Sequence, residues 1–280
     1  MLPEIDNLSV RRGDVCLHLT GITPEFLSGP SIFLVPGYTD HAGRYPDTFK
    51  YFAERGHPVW GMDLRGHGRS GGRRGGLRRF GDYLDDLLAA LGAAVQKAPA
   101  PWVLLGHSTG GLIVLSALIR RQRQLREAGV VGAAVTSPLL EIALKTPPWR
   151  RLLGEVASAL FPALSLTSGV PPYANSHDPA VEAAKAADPL CFRAVNARWY
   201  TEVQREMAFV NAHGPNIRMP LMVLQAGDDK VVVPQAAQAF AARVPGAEFT
   251  AFPEMYHEIL LETDRARVWA TLDGFLERLA

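Results

Sequence analysis

The stretch Trp102-Val103-Leu104-Leu105-Gly106-His107-Ser108-Thr109-Gly110-Gly111-Leu112-Ile113-Val114-Leu115 decides the reading of this chain. Trp102 to Leu105 is an apolar run of strand length, and Leu112 to Ile119 reads as helix. Between them lies Gly-x-Ser-x-Gly, Gly106 to Gly110. A serine on so sharp a strand-to-helix turn sits on strained backbone, where side chains at the flanking positions would collide. Glycines let the turn close and leave the hydroxyl exposed. Ser108 is therefore the candidate nucleophile.

A serine hydroxyl is a weak nucleophile at neutral pH, so a base must take its proton and a third group must hold that base in the right tautomer. Downstream, the apolar run Leu221 to Leu224 leads into Gln225-Ala226-Gly227-Asp228-Asp229-Lys230-Val231-Val232-Val233-Pro234, a strand end followed by an acidic turn. Asp228 and Asp229 are both candidates for the acid, and only one of two neighbours can point at the base. The base candidate is His257 in Glu254-Met255-Tyr256-His257-Glu258, after a strand-like Ala247 to Pro253 and before a helix expected from about Glu262. Backbone N–H groups must also hold the oxyanion. Thr109, after the nucleophile, supplies one. Tyr38 supplies the other, from Pro36-Gly37-Tyr38-Thr39-Asp40-His41 at the end of the buried strand Ser31 to Val35. His41, His67 and His107 read as turn, rim and packing residues.

Apolar strands near Ile32, Val59, Val103, Val131, Met222 and Phe249 alternate with helix-like stretches. That rhythm predicts an α/β fold, a mostly parallel sheet with helices on both faces. It breaks between about Glu141 and Met219, where Thr146-Pro147-Pro148-Trp149, Val170-Pro171-Pro172-Tyr173 and an alanine-rich stretch intervene. We expect a core of residues 1–140 and 220–280, with a mainly helical cap at 141–219 over the sheet edge that carries Ser108. Within the cap, Trp149, Leu152, Leu153, Val156, Leu160, Phe161, Leu164 and Leu166 recur at roughly helical spacing. Most should pack the cap on the core, and a subset could line an acyl tunnel or touch lipid.

The order Ser, Asp, His is that of the α/β-hydrolases. Pro36 to Tyr45, Asp63-Leu64-Arg65-Gly66-His67-Gly68-Arg69-Ser70, Gly106 to Gly110, Asp229 and Tyr256-His257-Glu258 together resemble the monoacylglycerol lipase and lysophospholipase branch of that superfamily. The likeness runs nearly the whole chain, including Leu160 to Leu166 and Ala187 to Cys191 in the cap. It implies an acyl-enzyme on Ser108 and hydrolysis of monoacylglycerol- or lysophospholipid-like esters. It also selects Asp229 as the acid, by the pattern of acid, basic residue and aliphatic pair in Asp229-Lys230-Val231-Val232. Two departures bear on pocket shape: Pro36 where the family usually has histidine, and Thr109 where methionine is common. Rival readings are a carboxylesterase, thioesterase or acyltransferase on other acyl substrates, or a non-catalytic binding protein that has kept the fold.

The composition narrows the partners. The chain has 280 residues, 48% of them apolar, enough for a large core, and a formal net charge of +1. That charge gives no electrostatic reason to expect nucleic acid. A small-molecule acyl ester is the expected partner, and the cap could contact a membrane or lipid surface peripherally. The arginines at 65, 69, 73, 74, 78 and 79 crowd a glycine-rich stretch, read either as a solvated loop or as a patch for an anionic surface. With no signal-peptide core and no apolar run of spanning length, a cytoplasmic protein is expected. Cys16 and Cys191 lie too far apart in the sequence to suggest a structural disulfide, and no Cys/His spacing suggests a metal. No cofactor is expected.

Overall fold

The computed structural model describes residues 5–144 and 174–280, with residues 155, 161, 164–167 and 169 between them. The strands of its main sheet are β1 (Asp6–Arg12), β2 (Val15–Ile22), β3 (Ser31–Val35), β4 (Val59–Met62), β5 (Trp102–His107), β6 (Val130–Thr136), β9 (Leu221–Ala226) and β10 (Glu248–Phe252). A small antiparallel pair, β7 (Ser165–Thr167) and β8 (Ala194–Asn196), stands apart. The main order is β1-β2-β4-β3-β5-β6-β9-β10. The pairs from β4 to β10 are parallel, and β2 runs antiparallel to both β1 and β4.

Alternation along the strands explains the two cores. Successive side chains of a strand point to opposite faces. Phe33 and Val35 of β3 therefore join one core, with Leu84 and Leu87 of α2 (Gly81–Ala94) and Leu112 and Leu115 of α3 (Thr109–Arg120). Ile32 and Leu34 join the other, with Phe49 and Phe52 of α1 (Pro46–Ala53) and Leu272 and Phe275 of the C-terminal helix, Arg265–Glu277. Each such side chain taken out of water contributes about 1.5–3 kcal/mol. A strand covered on both faces is apolar over most of its length, as Ile32 to Val35 of β3 and Trp102 to Leu105 of β5 are. The edge strand β1 is not: its polar and apolar residues alternate and it stays partly exposed.

This layering gathers the loops that matter. The segments after β3, β5, β9 and β10 all leave the carboxyl ends of parallel strands, the edge where open α/β sheets build their sites. They carry Tyr38, Ser108, Asp229 and His257 respectively.

Between β6 and β9 the chain leaves the sheet. The helices there, numbered on from α4 (Gln122–Glu127), are α5 (Pro179–Ala187) and α6 (Ala197–His213). Asp178 caps α5 by accepting from the Ala180 N–H, and Asn196 caps α6 by accepting from the Arg198 and Trp199 N–H groups. Trp199, Val203, Met207 and Val210 of α6 are buried in the core that α3 helps to form. Thr146 to Trp149, Leu152, Leu153, Val156, Leu160 and Val170 to Tyr173 lie outside the described residues, as does the side chain of Leu166; Phe161 and Leu164 are exposed. Two helices complete the core, α7 (Pro234–Ala241) and α8, the C-terminal helix.

Much of the arginine-rich stretch has partners within the fold. Arg65 forms a bidentate pair with Asp86, at 2.6 Å to each oxygen, while Arg78 and Arg79 reach Asp82. Arg12 and Arg121 meet Asp85. All three carboxylates project from α2, so these charges are largely matched locally. Both cysteines are free thiols. Among the described residues, no helix is long and apolar enough to cross a membrane.

Candidate active site

The turn at Ser108 has the strain expected of it. Ser108 adopts φ 52° and ψ −115°, a left-handed backbone that costs a non-glycine residue about 1–3 kcal/mol. Three hydrogen bonds hold it there: the Ser108 N–H donates to Thr136 O, and its carbonyl accepts from Leu112 and Leu139 N–H, at 3.0, 3.1 and 3.0 Å. The glycines are required by contact. A Cβ on Gly106 would stand 2.6 Å from the Gly110 carbonyl oxygen, and one on Gly110 would stand 2.0 Å from that of Val35.

The hydroxyl is hydrogen-bonded to the expected base. Ser108 Oγ lies 2.9 Å from His257 Nε2, and His257 Nδ1 lies 2.8 Å from Asp229 Oδ2. With Nδ1–H turned to the carboxylate, Nε2 is left as the acceptor for the serine proton. The other oxygen, Asp229 Oδ1, accepts from the N–H groups of Val231 and Val232 at 2.8 and 3.0 Å. Burial pushes this carboxyl toward protonation, but His257 and the two backbone donors outweigh it and hold its pKa below the usual range. Asp228, next door, is half-exposed and pairs with Lys230.

The loop after β3 approaches from the other side. A Cβ on Gly37 would lie 3.4 Å from Ser108 Cβ, so the backbone leading into Tyr38 runs close to the nucleophile. Thr109 is the first residue of α3, where backbone N–H groups have no intrahelical acceptor. Among the described residues, neither N–H has a hydrogen-bond partner. The Tyr38 side chain is fixed as well. Its hydroxyl donates to Gly75 O and accepts from the Asn196 N–H, and its ring stacks on Trp199.

Several residues around the site take roles that the sequence reading did not assign them. Glu258 follows the base and is buried; its carboxylate meets Arg44 and Lys185 of α5, and its N–H donates to Asn175 O at 2.7 Å. Asp40 completes this group by accepting from Arg44 and the Tyr45 hydroxyl. Glu262, 1% exposed, accepts from the Tyr256 N–H and pairs with His177, anchoring the loop of the base. Of the other histidines, His107 is buried with Nδ1 3.0 Å from Thr136 Oγ1. Burial and the nearby His257 push its pKa down to about 4. His67 packs against Tyr38 and Phe192, with burial lowering its pKa likewise to about 4. His41 pairs with Asp188 rather than simply closing a turn.

A strained serine on a parallel sheet, hydrogen-bonded to a histidine that is itself held by a buried aspartate, defines a serine hydrolase with the α/β-hydrolase fold. Residues 29–264 match the Hydrolase_4 family, described as serine aminopeptidase, S33, and the chain belongs to that family. Over 251 residues it is 29% identical to the phospholipase YtpA of Bacillus subtilis, covering 88% of this chain and 95% of that one. It is equally 29% identical over 258 residues to the monoacylglycerol lipase of Mycolicibacterium smegmatis, covering 88% of this chain and 87% of that one. An uncharacterized abhydrolase domain-containing protein of Dictyostelium discoideum is 30% identical, and the matched region spans 26% of that longer protein. The crystal structure of the Paleococcus ferrophilus monoacylglycerol lipase superposes with a TM-score of 0.80 at 22% identity, covering 99% of this chain and all of that one.

Proposed function

We propose that the protein is a serine ester hydrolase that cleaves monoacylglycerol- or lysophospholipid-type esters. The hydrogen-bonded chain from Ser108 through His257 to Asp229 carries the chemistry. The relatives named as a phospholipase and as a monoacylglycerol lipase support the substrate class.

In this reading Ser108 Oγ attacks the ester carbonyl while His257 Nε2 takes its proton. Asp229, ionised and held by His257, the Val231 and Val232 N–H groups and the Gln225 side-chain amide, stabilises the imidazolium. The Tyr38 and Thr109 N–H groups receive the oxyanion; one such donor is typically worth about 100- to 1000-fold in rate. His257 then protonates the leaving alcohol, and a water activated by the same imidazole releases the acid from Ser108.

Residues 141–219 act as a cap over this edge. The contacts of Lys185 with Glu258, Asp188 with His41, and Trp199 with Tyr38 support that placement. Exposed Phe161, Leu164 and Leu144 supply apolar surface for peripheral contact with lipid. The test is a chain-length series of 1-monoacylglycerols beside lysophosphatidylcholine and short p-nitrophenyl esters. Turnover that rises with acyl length supports the assignment, since each buried methylene is worth about 0.8 kcal/mol. Activity confined to the short esters refutes it.

A further inference from the structure

The loop after β3 and the turn after α5 meet in a cluster that the hydrolytic reading does not use. His41 Nε2 lies 2.9 Å from Asp188 Oδ2, and Cys191 completes a set in which one donor atom of each residue lies within 4.8 Å of the others. Local bonds build the turn. Asp188 ends α5, its Oδ1 accepts from the Leu190 N–H at 2.8 Å, and the Cys191 N–H donates to its carbonyl at 3.1 Å. Carboxylate and thiol are thereby presented together toward His41. His41 is 7% exposed, and its backbone N–H donates to Asp40 Oδ1, which holds this part of the loop. The neighbouring cations Arg44 and Lys185 bond to Asp40 and Glu258, while Asp188 bonds to His41 and the Leu190 N–H.

We infer that His41, Asp188 and Cys191 form a binding site for a borderline-soft divalent cation of the Zn2+ or Cd2+ kind. Imidazole nitrogen, carboxylate oxygen and thiolate sulfur are the donors such ions select, whereas Mg2+ and Ca2+ require oxygen ligands. Tetrahedral Zn2+ with bonds of about 2.0–2.3 Å needs donors roughly 3.3–3.8 Å apart. The His41–Asp188 pair would open by a few tenths of an ångström, the thiol would draw in, and water would take the fourth position. On binding, Cys191 loses its proton to solvent, and His41 turns a lone pair on Nε2 to the metal in place of its hydrogen bond. Leu190 N–H stays on the second carboxylate oxygen, the kind of outer contact that orients a ligand. The two sides are 147 residues apart in sequence from His41 to Asp188, so no spacing motif announces them.

The ion would tie the loop that carries Tyr38 to the segment that carries Phe192, whose ring already packs on Tyr38 at 5.5 Å. Occupancy should therefore slow ester turnover, a consequence that rests on the proposed function, whereas binding itself does not. The experiment titrates Cd2+ into the Cys16→Ser protein, which removes the other, exposed thiol, and follows the ultraviolet thiolate-to-cadmium absorption. One ion per chain is expected, with the band lost in Cys16→Ser/Cys191→Ser and affinity weakened at least tenfold by Asp188→Asn. Absence of the band, or unchanged affinity in the Asp188 variant, overturns the site. Zn2+ should then slow hydrolysis in the Cys16→Ser protein, reversibly with chelator, and spare the double variant; bound metal without slowing would overturn the coupling to the active site.

Discussion

Replacing Asp229 with asparagine changes one atom, and the structure dictates where that atom must go. Oδ1 accepts two backbone N–H groups, those of Val231 and Val232. An amide nitrogen there would set donor against donor, so the NH2 must face His257 Nδ1 instead. Nδ1 then has to accept, which places the imidazole proton on Nε2, facing Ser108. The base can no longer take the serine proton. When a triad keeps its geometry and loses its tautomer, kcat falls about 10,000-fold, equivalent to about 5 kcal/mol of transition-state stabilisation. Shape and packing are preserved, so stability should change far less than activity. The assay is steady-state ester hydrolysis of Asp229→Asn beside Asp228→Asn, with thermal unfolding of both. Asp228 pairs with Lys230 at the surface and should tolerate the change within about twofold, as surface substitutions do. An Asp229→Asn protein retaining a tenth of the activity, or a collapse in Asp228→Asn, would refute the reasoning.

Two further predictions concern buried charge. Lys185→Met removes one of the two cations on Glu258 and leaves Arg44 to hold it; loss of one partner of a buried pair typically costs about 3–5 kcal/mol, and the remaining arginine should keep the loss near the lower end. Chemical unfolding at neutral pH reads this, and adding Glu258→Gln should recover part of it; wild-type stability in Lys185→Met would show that the pair contributes nothing. Stability should also decline on mild acidification. His107 and His67 have folded pKa values of about 4, below the ordinary 6.5, so the fold favours their neutral forms. That contribution is complete above pH 6.5 and drains away as pH falls toward 4, by about 3 kcal/mol for each group; a flat unfolding free energy between pH 7 and 5 would contradict it.

What the sequence displays and what it hides divide along physical lines. The turn at Ser108 is legible because its steric demand falls on residues two positions away, Gly106 and Gly110, and glycine is the only answer to a backbone oxygen 2.0 Å from a would-be Cβ. The central parallel strands are legible because burial on both faces makes runs such as Ile32 to Val35, Trp102 to Leu105 and Leu221 to Leu224 apolar. The N-terminal β1 is not, since an exposed edge strand such as Asp6–Arg12 mixes charge with apolar residues. Residue chemistry alone cannot separate Asp228 from Asp229, because adjacent positions point to different sides and the end of β9 decides which turns inward. The pairings of Lys185 with Glu258 and of His41 with Asp188 join residues 73 and 147 positions apart, with no periodicity to betray them. The arginines of residues 65–79 invite a surface reading, and only the packing of α2 reveals Asp82, Asp85 and Asp86 beneath several of them.

The central claim is that Ser108 is the nucleophile, and covalent labelling tests it most directly. Wild type and Ser108→Ala would be treated with a fluorophosphonate and measured by intact mass and peptide mapping. One adduct per chain, located on Ser108 and absent from a folded Ser108→Ala protein, is the predicted result. An adduct on another residue, or labelling of Ser108→Ala at the wild-type rate, would contradict the account.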